Sequence, residues 1–184
     1  DKVMIDASSP THDDPMFGLT IPEGPGDSLI DSVSKIEAVT QVRMLRPSMM
    51  VVTTNIEGGP RPEESVETVD EEGAAIQREH IVNLRDAIWS LKESENLRWL
   101  FITDDDADLE ADGWRRKLLW QFFCRFDVAR DLHFDENRSR LAWDATAPIP
   151  SNTGPHPVRR WPGVTLHDPE VEAKVEAWIE ENNL

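Results

Sequence analysis

Four aspartates within five positions, Asp104, Asp105, Asp106 and Asp108, are the side chains best placed by type and spacing to do chemistry. Clustered carboxylate oxygens suit a hard divalent cation such as Mg²⁺. An ion held there would serve phosphoryl transfer or an acidic receiver pocket, with Asp104, Asp105 and Asp106 as its ligands. The run follows Trp99-Leu100-Phe101-Ile102-Thr103, a buried type of strand. Open α/β sheets hold ligands at the carboxyl ends of their strands. A plainer reading stands beside this one. Carboxylates at a helix N-terminus contribute about 0.3–1 kcal/mol each, so the run can cap the next helix and face water.

The other candidates are weaker. His12, His80, His133, His156 and His167 include no pair at the i, i+4 helical spacing of a zinc protease, and none flanks a cysteine pair. They support no metal site, and His80 reads as a satisfied residue at the edge of a helix core. Cys124 is the only cysteine, which excludes an intrachain disulfide and a cysteine-rich metal centre. It follows Phe122-Phe123 and reads as a buried structural thiol. No glycine-rich phosphate loop or nucleophile elbow occurs. The residues taken alone assign no catalytic and no cofactor-binding position.

The elements that must position these residues can be read from periodicity. Lys2–Ala7 alternates weakly, as a strand would. A Pro- and Gly-rich stretch follows, so residues 1–27 read as an extended arm. Asp27 or Ser28 can cap a helix bearing Leu29, Ile30, Val33 and Ile36. Strands are predicted at Val39–Met44 and Ser48–Thr54, the second apolar on both faces and therefore interior. Residues 56–73 carry seven acids and read as a mobile acidic insertion. Helices are predicted over Ala74–Ser94 and Gly113–Phe126. The first carries Ile76, His80, Ile81, Leu84, Ile88 and Leu91 as its stripe. The second presents a wide apolar face of Trp114, Leu118, Leu119, Phe122, Phe123 and Phe126. Leu132–Phe134 and Arg140–Trp143 suit a short strand pair. Asp168-Pro169 opens a last helix with Val171, Val175, Trp178 and Ile179 as its stripe. Alternation of this kind predicts a single α/β domain over residues 28–184, a mixed sheet with helices packed on it.

Composition bounds the function. The chain has 184 residues and a formal net charge of −17, which excludes a general nucleic-acid binder, whose affinity comes from Lys and Arg. It has no run of about 18 apolar residues, so no membrane span is expected. No basic-then-apolar leader is visible, so a cytoplasmic setting is the expectation. The chain opens on Asp1 rather than Met, as a processed or trimmed piece would.

Four segments in order resemble the C-terminal domain of the UbiD-type decarboxylases, the polyprenyl-hydroxybenzoate decarboxylase family. They are LFITDDDAD (Leu100–Asp108), LLWQFFCRFDVARDLH (Leu118–His133), WDAT (Trp143–Thr146) and RRWPGVTLHDPEVEAKVEAW (Arg159–Trp178). Val128 stands where the family usually has Pro. Residues 28–91 fit the same domain more faintly. The resemblance implies a fold, but no catalytic residue in this chain. The family's catalytic half, which holds prenylated FMN, a divalent metal and an Arg–Glu–Glu set, has no counterpart segment here. It therefore implies a non-catalytic small subunit, or a separated C-terminal domain, that works with a larger UbiD-like catalytic subunit in a hetero- or homo-oligomer. The reaction implied is reversible decarboxylation of an aromatic or α,β-unsaturated acid. On that reading Arg125, Asp127, Arg130, Asp131, Trp178 and Ile179 are interface residues.

Overall fold

Met50 and Val52 face one side of the sheet and Val51 the other, and all three are fully buried. Burial on both faces is what an interior strand requires. The computed structural model describes residues 26–46, 48–58, 69–152, 157–158 and 169–181. The expected strand at Lys2–Ala7 and nearly all of the N-terminal arm lie outside the described residues.

The interior strand β2 (Met49–Thr54) pairs antiparallel with β1 (Val39–Arg46) and parallel with β3 (Trp99–Asp104). β3 pairs in parallel with β5 (Leu141–Asp144), and β4 (Leu132–Phe134) closes the far edge antiparallel to β5. The five-stranded sheet therefore runs β1-β2-β3-β5-β4, with parallel strands in the middle and antiparallel ones at both edges. This is the mixed α/β sheet expected from the pattern.

Helices cover both faces. α1 (Asp27–Val33) and α2 (Glu71–Ser90) pack Leu29, Val33, Ile81, Leu84 and Ile88 against Met50, Val52, Leu100 and Ile102. On the opposite face α3 (Trp114–Arg125) packs Trp114, Leu118 and Phe122 against Val51, Phe101 and Trp143. The one-turn helix α4 (Val128–Asp131) leads into β4, and α5 (Pro169–Glu181) follows later in the chain. No helix among the described residues is long and apolar enough to cross a membrane.

Four expectations change. The acidic stretch ends earlier than expected, because α2 begins at Glu71; residues 59–68 of it lie outside the described residues. Asp70 caps α2 by accepting the Gly73 amide at 2.9 Å, and Glu71 and Glu72 suit its positive N-terminal end. Asp70→Ala is expected to lower the unfolding free energy by about 1 kcal/mol. Urea denaturation checks this, and an unchanged midpoint would rule out a contribution from the cap. The buried face of α2 is Ala74, Gln77, Ile81, Leu84 and Ile88, so Ile76 and His80 are exposed rather than part of the core edge. A strict three-and-four spacing selects Gln77 over Ile76. The face of α3 is narrower than its composition suggests. The sheet covers Trp114, Leu118 and Phe122, and leaves Leu119 and Phe123 exposed. Cys124 lies away from that covered face and is exposed, not buried.

Candidate functional site

Because β2, β3 and β5 are parallel, their carboxyl ends bring Thr53-Thr54, Thr103-Asp104 and Asp144-Ala145-Thr146 to one end of the sheet. The chain turns away at each of these points, and polar side chains tie the departing segments together. Asp104 Oδ2 accepts Arg125 Nη1 at 2.6 Å and the Ala147 amide at 2.8 Å. Arg125 reaches Asp106 Oδ2 with Nη2 at 3.5 Å, so its guanidinium lies between the two carboxylates. Gln121, one turn earlier on α3, accepts Thr103 Oγ1 at 2.6 Å and donates to Asp106 Oδ1 at 2.6 Å. Gln77 of α2 closes the other side. Its Nε2 donates to the Ala147 carbonyl at 2.8 Å, and its Oε1 accepts the Ile149 amide at 3.0 Å. Gly58 passes so near that a Cβ there would meet the Ala147 carbonyl at 3.0 Å and Asp104 Oδ1 at 3.4 Å. A side chain at that position would crowd the site.

A second knot adjoins the first. Arg130 pairs with Asp131 through Nε at 2.5 Å and donates Nη2 to the Arg125 carbonyl at 2.9 Å. That bond satisfies a carbonyl at the end of α3. Asp131 Oδ2 also accepts the Asp127 amide at 2.7 Å, and Asp127 caps α4 by accepting the Ala129 amide at 2.9 Å. Asp144 Oδ1 accepts the Thr146 amide at 2.9 Å and the Thr146 hydroxyl at 2.6 Å.

The electrostatics follow from burial. Asp144 has no arginine partner among its strongest influences. Burial, reinforced by the negative charges of Asp131 and Asp104, pushes its carboxyl up to about 7. Asp104 is pushed up to about 6, because burial outweighs the Arg125 guanidinium and the Ala147 amide. Asp131 is also raised by burial, against the opposing pull of Arg130. The cluster therefore holds protons more tightly than ordinary carboxylates do. Its structural work is to fasten α3, α4 and the 144–149 segment to the strand ends.

Most of the sequence candidates meet here, and some do not. Asp104, Asp106, Arg125, Arg130 and Asp131 form the joined knots, with Arg125 and Asp131 themselves buried. Asp105 is exposed in the short turn after β3, Asp105–Ala107. Asp108 turns toward β1, where it accepts Gln41 Nε2 at 3.1 Å and the Glu110 amide at 3.1 Å; the Gln41 bond leads in holding its carboxyl low. Trp178 and Ile179 lie on the exposed stripe of α5. His133 sits on β4, its imidazole pushed toward the neutral form by burial. His12, His156 and His167 lie outside the described residues. Gln77, Gln121 and the coupling of Asp144 to its neighbours went unread in the sequence. The two glutamines carried a usable signal, each being a polar residue on the buried face of its helix.

The site is poorly suited to a metal ion or a flavin phosphate. Among the described residues no group of three or more His, Cys, Asp or Glu side chains is arranged to hold a metal. Arg125 occupies the position between Asp104 and Asp106 that a cation would need, and the carboxylates would repel a phosphate.

No protein-family model and no curated protein matches this chain. Solved structures do match. The chain resembles UbiD-class enzymes. An evolved dimeric form of the UbiD-class enzyme HmfF from Pelotomaculum thermopropionicum, in complex with prFMN, is 15% identical with a TM-score of 0.45, covering 81% of this chain and 28% of that one. Vanillic acid decarboxylase of Sedimentibacter hydroxybenzoicus (ShVdcCD), in open form with truncated ShVdcD, is 14% identical with a TM-score of 0.48, covering 84% and 32%. The chain thus spans under a third of the length of these proteins.

Proposed function

We propose that this chain is the non-catalytic small subunit, or the separated C-terminal domain, of a UbiD-like (de)carboxylase acting on aromatic or α,β-unsaturated acids. Its role is assembly and closure around an active site whose catalytic residues lie on a larger partner. Prenylated FMN and a divalent metal belong to that partner, where the flavin supplies the covalent chemistry. The setting is cytoplasmic.

One observation carries the reading. Three of the four ordered motifs interlock. Asp104 and Asp106 from the first bind Arg125 from the second, and Ala147, directly after the third, donates its amide to Asp104. Chance matches scattered along a chain have no reason to share one hydrogen-bonded network. The acidic, arginine-filled strand ends also favour a structural role over phosphate or metal chemistry on this chain. Arg130 and Asp127 lie at the margin of the network, half-buried, where a partner domain can reach them.

Purification of the tagged chain from its native source tests the proposal. A larger flavin-binding chain is expected to co-purify in fixed stoichiometry. Elution of the chain with no such companion would overturn the assignment.

A further inference from the structure

At the end of the sheet opposite the carboxylate network, two adjoining cavities of about 440 and 490 Å³ lie between the last turn of α2, the short turn Lys92–Ser94 after it, and the 135–140 turn that joins β4 to β5. Trp89, Asp135, Asn137 and Arg140 line both. Their shared wall is firmly tied. Arg140 Nη1 donates to the Trp89 carbonyl at 3.0 Å, and the Arg140 and Arg85 guanidiniums lie 5.1 and 5.2 Å from the centre of the Trp89 ring. Asp135 accepts the Ser139 and Arg140 amides at 2.6 and 2.9 Å and the Ser139 hydroxyl at 2.7 Å, so its oxygens are engaged within the turn.

The cations of the larger cavity are not spent in this way. Arg98 and Lys92 line it, and neither makes an ion pair among the described residues, although the chain carries 36 acids. Arg98 is half-buried on a fixed base. Its amide donates to the Ser48 carbonyl at 2.9 Å, and its carbonyl accepts the Leu141 amide at 2.7 Å. A half-buried guanidinium without a carboxylate, in so acidic a chain, is a donor fork with nothing in its grip. The acids of this cavity are Asp135, committed to the turn, and the exposed Glu95. Asp86 and Glu136 lie in the smaller cavity, where Arg85 engages Asp86 at 2.8 Å.

We propose that the larger cavity binds a small oxyanion, a polycarboxylate or a phosphate, with Arg98 and Lys92 as its counter-charges. The guanidinium fork matches the paired oxygens of either group, and the lysine adds a point charge on a flexible stem. The Asn137 amide supplies a neutral donor at the edge of the cavity. A volume near 490 Å³ suits a small molecule. The charge of −17 repels anions from the surface at large, so occupancy depends on these direct contacts and not on long-range attraction. The site needs only this chain and stands independently of the carboxy-lyase reading.

Calorimetric titration of the full chain with citrate and, separately, with inorganic phosphate tests this, with sodium chloride holding the ionic strength constant. Saturable binding of at least one probe in the millimolar range or tighter is expected. Tighter binding of citrate would assign the site to organic carboxylates, and tighter binding of phosphate to phosphates. Amide NMR shifts on titration are expected to concentrate at residues 89–98 and 135–140. Arg98→Gln and Lys92→Gln are each expected to weaken binding by about tenfold or more, the loss that follows removal of a charged hydrogen-bond partner. Lys92 is exposed, so its substitution leaves the core intact even if Arg98→Gln proves unstable. Arg116→Gln, an equal change of charge at an exposed position on α3, is expected to leave the affinity unchanged. Failure of both probes to bind would overturn the proposal. So would binding that survives both cavity substitutions, or that Arg116→Gln weakens as much as they do.

Discussion

Arg125→Met is expected to lower the unfolding free energy by about 3–5 kcal/mol at pH 8, the usual cost of removing one partner from a buried ion pair. Arg125 is 3% exposed at its side chain, while Asp104 and Asp106 are 16% and 14% exposed. Methionine preserves much of the side-chain volume and removes the charge. Asp104 is then left with the Ala147 amide and no cation. Asp106 keeps Gln121 and the more distant Lys117, whose Nζ is 3.8 Å away. The loss should shrink at pH 5, because Asp104, already pushed up to about 6, can take a proton in place of the lost guanidinium. Adding Asp104→Asn to Arg125→Met should recover part of the stability, and the double-mutant cycle isolates the pair. Denaturant titrations of the four proteins measure it. Additive losses would show that the two residues do not act as a pair.

The second large effect is the pH dependence of the unmodified chain. Asp144 and Asp104 are pushed up to about 7 and about 6, against an unfolded value near 3.8. The native state therefore holds these protons after the unfolded chain has released its own. Stability falls wherever the native state binds more protons, so it must decline as pH rises from about 4 through about 7. Asp108 and Asp135 act in the opposite sense. Asp135 is held down to about 2, chiefly by the Arg140 amide, so its contribution is lost only as pH falls toward that value. These groups place the stability maximum near pH 4–5, with a decline of several kcal/mol by pH 8, about 1.4 kcal/mol for each unit by which the two carboxyls are raised. Asp144→Asn should remove most of that slope, because an amide oxygen can still accept from Thr146 without titrating. Urea midpoints at pH 5 and pH 8 test both statements. A chain that becomes more stable toward pH 8 would contradict the burial assigned to Asp144 and Asp104.

Much of the fold was legible because its signals are local. Val51, flanked by Met50 and Val52, marks an interior strand by composition alone, and Trp99–Thr103 does the same. The start of α2 was hidden because Glu71, Glu72 and Gly73 resemble a solvated loop until the Asp70 cap is seen. The exposed side of α3 was hidden for a different reason. Leu119 and Phe123 are as apolar as Leu118 and Phe122, and only the position of the sheet decides which pair is covered. The strand-end network lies between these cases. The acid run and the helix carrying Arg125 could each be seen. Their meeting across 21 positions depends on how α3 crosses the sheet, which no local spacing encodes.

Reconstitution tests the proposed role most directly. The larger flavin-binding chain, purified with and without this one, is assayed for exchange of labelled CO₂ into an aromatic or α,β-unsaturated acid. Exchange that rises at least about tenfold when this chain is added is the expected result, the scale on which loss of correct closure and positioning is felt. Full exchange by the larger chain alone, unchanged by stoichiometric addition of this one, would contradict the role.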